Sequence, residues 1–239
     1  MSADIYIFRR IEKKYRIRED QFEALMAKIS DRLIPDAHGK STVCSLYLDT
    51  PDFLLARASA EAKENRSAYK EKLRIRSYGS PKLTDRVFFE IKKKYKGIVY
   101  KRRVAMALSE AEAYVKDLEP PFDSQIMREI DYAMRLYGEP KPAMLIRYER
   151  EAFFVYDDPT VRLTFDRAIR YSAREPSLLT MGEETRILPE GQVLLEIKTA
   201  GAMPLWLSHA LGECRIFPSS FSKYGTSYTD LIKSKYKGE

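Results

Sequence analysis

Several segments of this chain set basic side chains two residues apart. That spacing puts them on one face of an extended strand. Lys72, Arg74 and Arg76 share such a face, with Leu73 and Ile75 opposite. Glu90, Lys92 and Lys94 share another, opposite Phe89 and Ile91. Lys101 and Arg103 repeat the spacing, as do Arg10, Glu12 and Lys14. Tyr148, Arg150 and Ala152 lie together. Arg162, Thr164 and Asp166 oppose Val161, Leu163 and Phe165, and Glu196 and Lys198 oppose Leu195 and Ile197.

One such strand would simply have an apolar face on the core and a charged face in water. Recurrence along the chain changes the weighing. Like charges about 5 Å apart on neighbouring strands repel. The arrangement is costly unless an anion fills the space. A sheet closed with its charged faces inward makes a basic tunnel, and a phosphate chain fits it. Arginine grips oxyanions bidentately, and lysine meets them as a point charge. Glu12, Glu90 and Glu196 each precede a lysine by two residues. They either pair with neighbouring bases or hold a divalent cation that bridges phosphate oxygens, as Mg²⁺ or Mn²⁺ does with one or two carboxylates. Glu196 is the first choice, because its strand carries few other charges.

The elements that must position these residues read as α+β. Strands are expected over 5–17, 42–49, 69–78, 86–95, 98–104, 143–155, 160–171 and 192–199. Gly79-Ser80-Pro81 and Lys96-Gly97 supply turns, so the third to fifth strands form an antiparallel meander. Helices are expected over 19–33, closed by Pro35, and from Thr50-Pro51 to about Ala62, capped by Thr50. Others are expected over 109–117, with Ser109 and Glu112 as a capping box, and 122–137, ending at Gly138. Two more run from Pro204 to about Leu211 and from Ser222 into the tail, while 172–191 reads as irregular. The expected architecture is one domain over 1–239. It is an eight-stranded antiparallel β-barrel with helices packed outside.

The chain has 239 residues, and 44% of them are hydrophobic, which is ordinary for a globular protein. The 42 basic residues outnumber the 35 acidic ones, so an anionic ligand is compatible. Cys44 and Cys214 have no spacing of a zinc site and read as reduced thiols. His38 and His209 sit in no motif. The N-terminus has no signal peptide and no stretch spans a bilayer, so a cytoplasmic protein without direct membrane insertion is expected. Nucleic acid is disfavoured. Phe89, Phe153 and Phe165 lie on faces opposite the bases, away from any bound base.

Taken in order, RRIEKKY (9–15), YLDT (47–50), KLRIRSYG (72–79), FEIKKKY (89–95), YKRR (100–103), YEREAF (148–153), VRLTFD (161–166), LLEIK (194–198) and FSKYG (221–225) are familiar. The sequence resembles the VTC-domain polyphosphate polymerases of the triphosphate tunnel metalloenzyme (CYTH-like) superfamily. The resemblance implies a tunnel that binds ATP and inorganic triphosphate or polyphosphate with Mn²⁺ or Mg²⁺. It implies catalytic roles for Lys14, Arg74, Arg76, Lys92, Lys101, Arg150 and Arg162. Lys223 joins Arg10, Lys72, Lys94, Arg103 and Lys198 as substrate contacts, and Glu196, with Glu12 and Glu90, becomes the metal ligand.

Two departures stand out. Hydrolytic relatives carry E-x-E-x-K on the first strand, and here Arg10-Ile11-Glu12-Lys13-Lys14 gives R-x-E-x-K. That tilts away from hydrolysis and toward holding a longer anion. Ser220 stands where the eukaryotic polymerases have a further lysine. Their SPX and membrane domains are not expected here. The alternatives are a metal-dependent triphosphatase and a non-catalytic polyphosphate-binding module.

Overall fold

A computed structural model describes residues 11–61, 69–95, 98–180 and 182–237. The strands are β1 (Ile11–Arg18), β2 (Leu33–Asp49), β3 (Lys70–Tyr78), β4 (Arg86–Tyr95), β5 (Ile98–Ala107), β6 (Lys141–Val155), β7 (Arg162–Ser172), β8 (Thr185–Arg186) and β9 (Gln192–Thr199). The helices are α1 (Glu19–Ile29), α2 (Leu54–Glu61), α3 (Leu108–Asp117), α4 (Gln125–Leu136), α5 (Leu205–Glu213) and α6 (Lys223–Lys237). All strands belong to one antiparallel sheet ordered β1-β9-β7-β6-β2-β3-β4-β5, with β8 added beside β7.

The eight-stranded path matches expectation, but it is open. β1 and β5 are its two ends, and no pairing joins them among the described residues. Strand twist of roughly 20–25° per neighbour curls a sheet of this width strongly. Here the curl brings β1 against β4, where Lys92 Nζ lies 3.4 Å from Glu12 Oε2. The free edge of β1 is covered by the segment before α6. Ser219 N donates to Lys14 O at 2.7 Å, and Ser219 Oγ accepts from Arg16 N at 3.0 Å. An exposed edge that could recruit another strand is thereby blunted.

The outer faces of the sheet are apolar and covered by helices. Leu73, Ile75, Phe89 and Ile91 pack with Leu108, Tyr114, Met127, Ile130 and Met134 of α3 and α4. Ile17, Leu163, Phe165, Leu195 and Ile197 pack with Leu25 and Ile29 of α1 and Leu207 and Leu211 of α5. The apolar half of each alternating strand thus faces outward, and the charged half is turned to the inside of the curl.

Some boundaries differ from the sequence reading. β2 begins at Leu33, so Pro35 lies in a strand opposite Phe153 and does not close α1. A register shift between Pro35 and Lys40 accommodates it. Glu110, not Glu112, reaches back to cap α3, accepting from Ala107 N at 2.8 Å. Thr50 does cap α2, accepting from Leu54 N at 3.0 Å, while Asp49 accepts from Leu55 N and Ala56 N. Residues 5–10, Ala62 and the turn at Lys96-Gly97 lie outside the described residues. Both cysteines are free.

Asp49 also accepts from the Tyr224 hydroxyl at 2.5 Å, tying β2 and α2 to α6. The two helices touch at Gly225, where a Cβ would meet backbone atoms of Ser59 and Ala60 at 3.0 Å. Backbone cannot yield as a side chain tip can. Gly225→Ala is expected to destabilise the chain by about 1–3 kcal/mol, measured as a lowered denaturant midpoint at unchanged slope.

Candidate active site

A cavity of about 340 Å³ fills the inside of the curl. Its lining carries eleven lysines and arginines and two glutamates. β3 supplies Lys72, Arg74 and Arg76, and β4 and β5 supply Lys92, Lys101 and Arg102. Arg150, Arg162 and Lys198 enter from β6, β7 and β9, and Lys14 from β1. Lys223 reaches in from the first turn of α6. The glutamates are Glu12 and Glu196, and Tyr47, Val99, Tyr100 and Tyr148 complete the wall.

Two buried carboxylates behind this wall anchor the cations. Glu90 is fully buried and accepts from Arg74 Nε at 2.7 Å; Lys101 Nζ lies at 2.8 Å, and Arg103 also pairs with it. Asp166 is fully buried and holds Arg150 in a bidentate pair at 2.7 Å, with Lys223 Nζ at 2.6 Å. A planar guanidinium locked in this way points its remaining donors in a fixed direction. Arg76 is held by Ser45 Oγ and the Tyr148 hydroxyl, and Arg74 donates to the Tyr47 hydroxyl at 3.1 Å. Tyr47 is in turn stacked on Tyr224, with ring centroids 4.2 Å apart. Arg162 pairs with Asp36, yet its Nε is buried without a hydrogen-bond partner among the described residues. That is an orphan donor in the wall of an anion-sized cavity.

The electrostatics are those of crowded cations. Burial pushes the Glu12 carboxyl up, but Lys92 and Lys14 outweigh it and hold the group well below the usual range. Glu90 behaves alike: burial is overcome by Arg74, Arg76 and Lys101. In Glu196, burial is overcome by Lys14 and Lys223. Lys101 is pushed down to about 7 by burial, only partly offset by Glu90, with Arg74 and Arg103 adding to the fall. Lys198 falls to about 8 through burial, against the pull of Glu196 and Glu12. Lys72 falls well below the lysine range through burial and its neighbours Lys14 and Lys92.

A bound polyanion stabilises the charged form of each of these lysines and so raises its pKa. Binding therefore takes up protons at pH values above the free-site pKa, and affinity falls as pH rises from about 7 toward 9. Calorimetric titration of tripolyphosphate in buffers of different ionisation enthalpy measures this uptake directly. Net proton release on binding at pH 8 would contradict it.

Of the residues singled out from the sequence, Lys14, Lys72, Arg74, Arg76, Lys92, Lys101, Arg150, Arg162, Lys198 and Lys223 line the cavity. Arg103 and Lys94 do not. Arg103 lies on β5 opposite Glu90 of β4, over the Phe88 ring at 4.3 Å and against Tyr78 and Glu90. Lys94 sits one step past Lys92 along β4. Arg10 lies outside the described residues. Among the expected metal ligands, Glu90 does not fit a cation, since its oxygens are taken by Arg74, Lys101 and Arg103 and it is fully buried. Glu12 and Glu196 fit better. Both are ionised, both line the cavity, and Lys14 lies 3.4 Å from each. Mg²⁺ or Mn²⁺ held by two carboxylates takes the rest of its oxygens from phosphate and water.

Arg102 and Tyr47 escaped the sequence reading, and Asp166 was placed on a strand face without a role. Arg102 has the opposite parity from Lys101, and its Nε donates to Glu129 of α4 at 3.0 Å. Tyr47 carries no charge to draw attention. Asp166 did share the face of Arg162, and an acid on a basic face was the signal available.

Solved structures with this architecture were found by structural comparison. A protein from Hippeastrum, provisionally named an adenylyl cyclase and reported with a dominant triphosphatase activity, matches with a TM-score of 0.57 at 16% identity, with 92% of this chain and 96% of its own covered. A Bacillus halodurans protein provisionally named an adenylate cyclase gives 0.52 at 16% identity, covering 89% of this chain and 93% of its own. One from Vibrio parahaemolyticus, similarly named, gives 0.52 at 11% identity, covering 94% and 97%. No curated protein matches the sequence. The curled sheet with a cation-lined interior is the triphosphate tunnel fold of the CYTH-like proteins. Residues 9–232 match the model of the VTC domain, and the chain belongs to that family.

Proposed function

We propose that this chain is a polyphosphate polymerase that transfers the γ-phosphoryl group of ATP to the end of a polyphosphate chain held in the tunnel. The observation that carries the reading is the lining, with eleven cations to two carboxylates. Such a wall suits an acceptor that is itself a polyanion more than it suits water. The single sheet joining every strand supports reading the chain as one domain.

In this reading a terminal phosphate oxygen of the acceptor attacks the γ-phosphorus. A new P–O bond forms, the bond to the β-phosphate bridging oxygen breaks, and ADP leaves. The acceptor is already largely ionised near neutral pH, so no general base is required. Positioning and charge stabilisation do the catalysis. Arg74 and Arg150, fixed by Glu90 and Asp166, present rigid donors to the equatorial oxygens. Lys14, Lys92 and Lys223 neutralise the flanking phosphates. Glu12 and Glu196 would hold a divalent cation, which supplies charge neutralisation between phosphate oxygens.

The test follows ADP, orthophosphate and polyphosphate together after purified protein is mixed with ATP and Mn²⁺. ADP accompanied by a polyphosphate ladder is expected. ADP with an equal amount of orthophosphate and no polymer would convert the reading to a triphosphatase. Tight polyphosphate binding without turnover would leave a binding module.

A further inference from the structure

The cation ladder does not stop at the cavity. Successive cross-strand pairs of β3 and β4 run Arg76–Phe88, Arg74–Glu90, Lys72–Lys92 and Lys70–Lys94. All eight share the inner face. The first three pairs contribute Arg76, Arg74, Lys72 and Lys92 to the cavity lining, whereas Lys70 and Lys94 lie beyond it. Steps of two residues advance about 6.8 Å, so the row from Arg76 to Lys70 extends about 20 Å. That is longer than a triphosphate.

The two ends of the row differ. At the Arg76 end the inner face passes to rings, with Phe88 facing Tyr78 edge-on at 6.0 Å. At the other end it finishes on two lysines, and no ion pair joins either of them to a carboxylate among the described residues. From Arg74 outward, carboxylate compensation falls off in the same direction. Arg74 has Glu90 at 2.7 Å, and Lys92 shares Glu12 at 3.4 Å, but among the described residues the charged groups acting on Lys70 are the cations Lys94, Lys14 and Lys92. Two like charges set directly opposite on neighbouring strands cost stability. The cost is removed when an anion lies between them.

We propose that Lys70 and Lys94 form a subsite beyond the triphosphate cavity that takes the fourth and later phosphates of a long chain, making the site selective for polyphosphate over triphosphate. This rests on the reading of the tunnel as a phosphate-binding site, and it marks the β3–β4 end bearing these lysines as the mouth through which the chain passes.

The experiment compares the affinities of tripolyphosphate and long-chain polyphosphate for the wild type and for Lys70→Gln/Lys94→Gln. Wild type is expected to prefer the long chain. The double variant is expected to lose about tenfold in long-chain affinity, the size of two screened charge contacts, with tripolyphosphate affinity altered less than about twofold on the same grounds. Thermal unfolding of the variant near the wild-type temperature secures the comparison, and Lys70→Arg/Lys94→Arg should restore the preference. An unchanged long-chain preference, or equal losses for both ligands, would overturn the subsite while leaving the tunnel assignment standing. Failure of wild type to bind tripolyphosphate at all would remove the tunnel reading and the subsite with it.

Discussion

Arg150→Ala is expected to lower ADP formation from ATP by about 10³-fold or more, the range seen when a charge-stabilising donor to a transferred phosphoryl group is removed. Arg150 lines the cavity and is held by both Asp166 oxygens at 2.7 Å, so its orientation is set before any ligand arrives. The same pair makes the variant less stable. Asp166 is fully buried, and losing its bidentate partner leaves it with Lys223 alone among the cations paired to it in the described residues. Breaking a buried pair from one side costs about 3–5 kcal/mol. Two effects must therefore be separated, and Arg150→Lys does so. Lysine keeps the charge near Asp166 but cannot form the planar fork. It should recover most of the melting temperature and little of the activity. Recovery of both together would mean that Arg150 serves only to hold the sheet.

Glu90→Gln should move stability and ligand affinity in opposite directions. Glu90 is the shared partner of Arg74, Lys101 and Arg103, and it is fully buried. Glutamine leaves three cations around a neutral group, at a cost of about 3–5 kcal/mol to the free protein. It also deletes a negative charge directly behind the anion site, so tripolyphosphate should bind more tightly. The ligand then stabilises the variant more than it stabilises the wild type, because binding to the folded state adds to its stability in proportion to the logarithm of ligand over Kd. Melting curves with and without tripolyphosphate read both effects. A variant that melts lower and gains no more from ligand than wild type would show that Glu90 does not couple to the site.

The sheet was legible from two-residue periodicity, because a one-residue slip in any strand would have put charges in the core. Leu73 and Ile75 on one side and Arg74 and Arg76 on the other left a single orientation. Closure was not legible. Whether β1 pairs with β5 depends on curl and tilt summed over the sheet; the seam is bridged by Glu12–Lys92, and the edge of β1 is covered by Ser219 from a distant part of the chain. The start of β2 was missed because Pro35 reads as a helix stop, and a strand with an irregular register tolerates it. Within the site, parity found the strand cations but gave no view of which carboxylates they would share. Glu90 read as a metal ligand, yet three cations converge on it. Lys223 sits on a helix and followed no strand rule; it was reached through the FSKYG resemblance alone. Its place is set by contacts no local pattern shows, namely Tyr224 with Asp49 and Gly225 with Ser59.

The most direct measurement of the central claim uses ATP labelled at the γ-phosphate together with a short unlabelled polyphosphate primer. After incubation with a divalent cation, the products are resolved by chain length. The account predicts label in chains longer than the primer and ADP formed in equal amount. Label recovered only as orthophosphate, with the primer length unchanged, would contradict it.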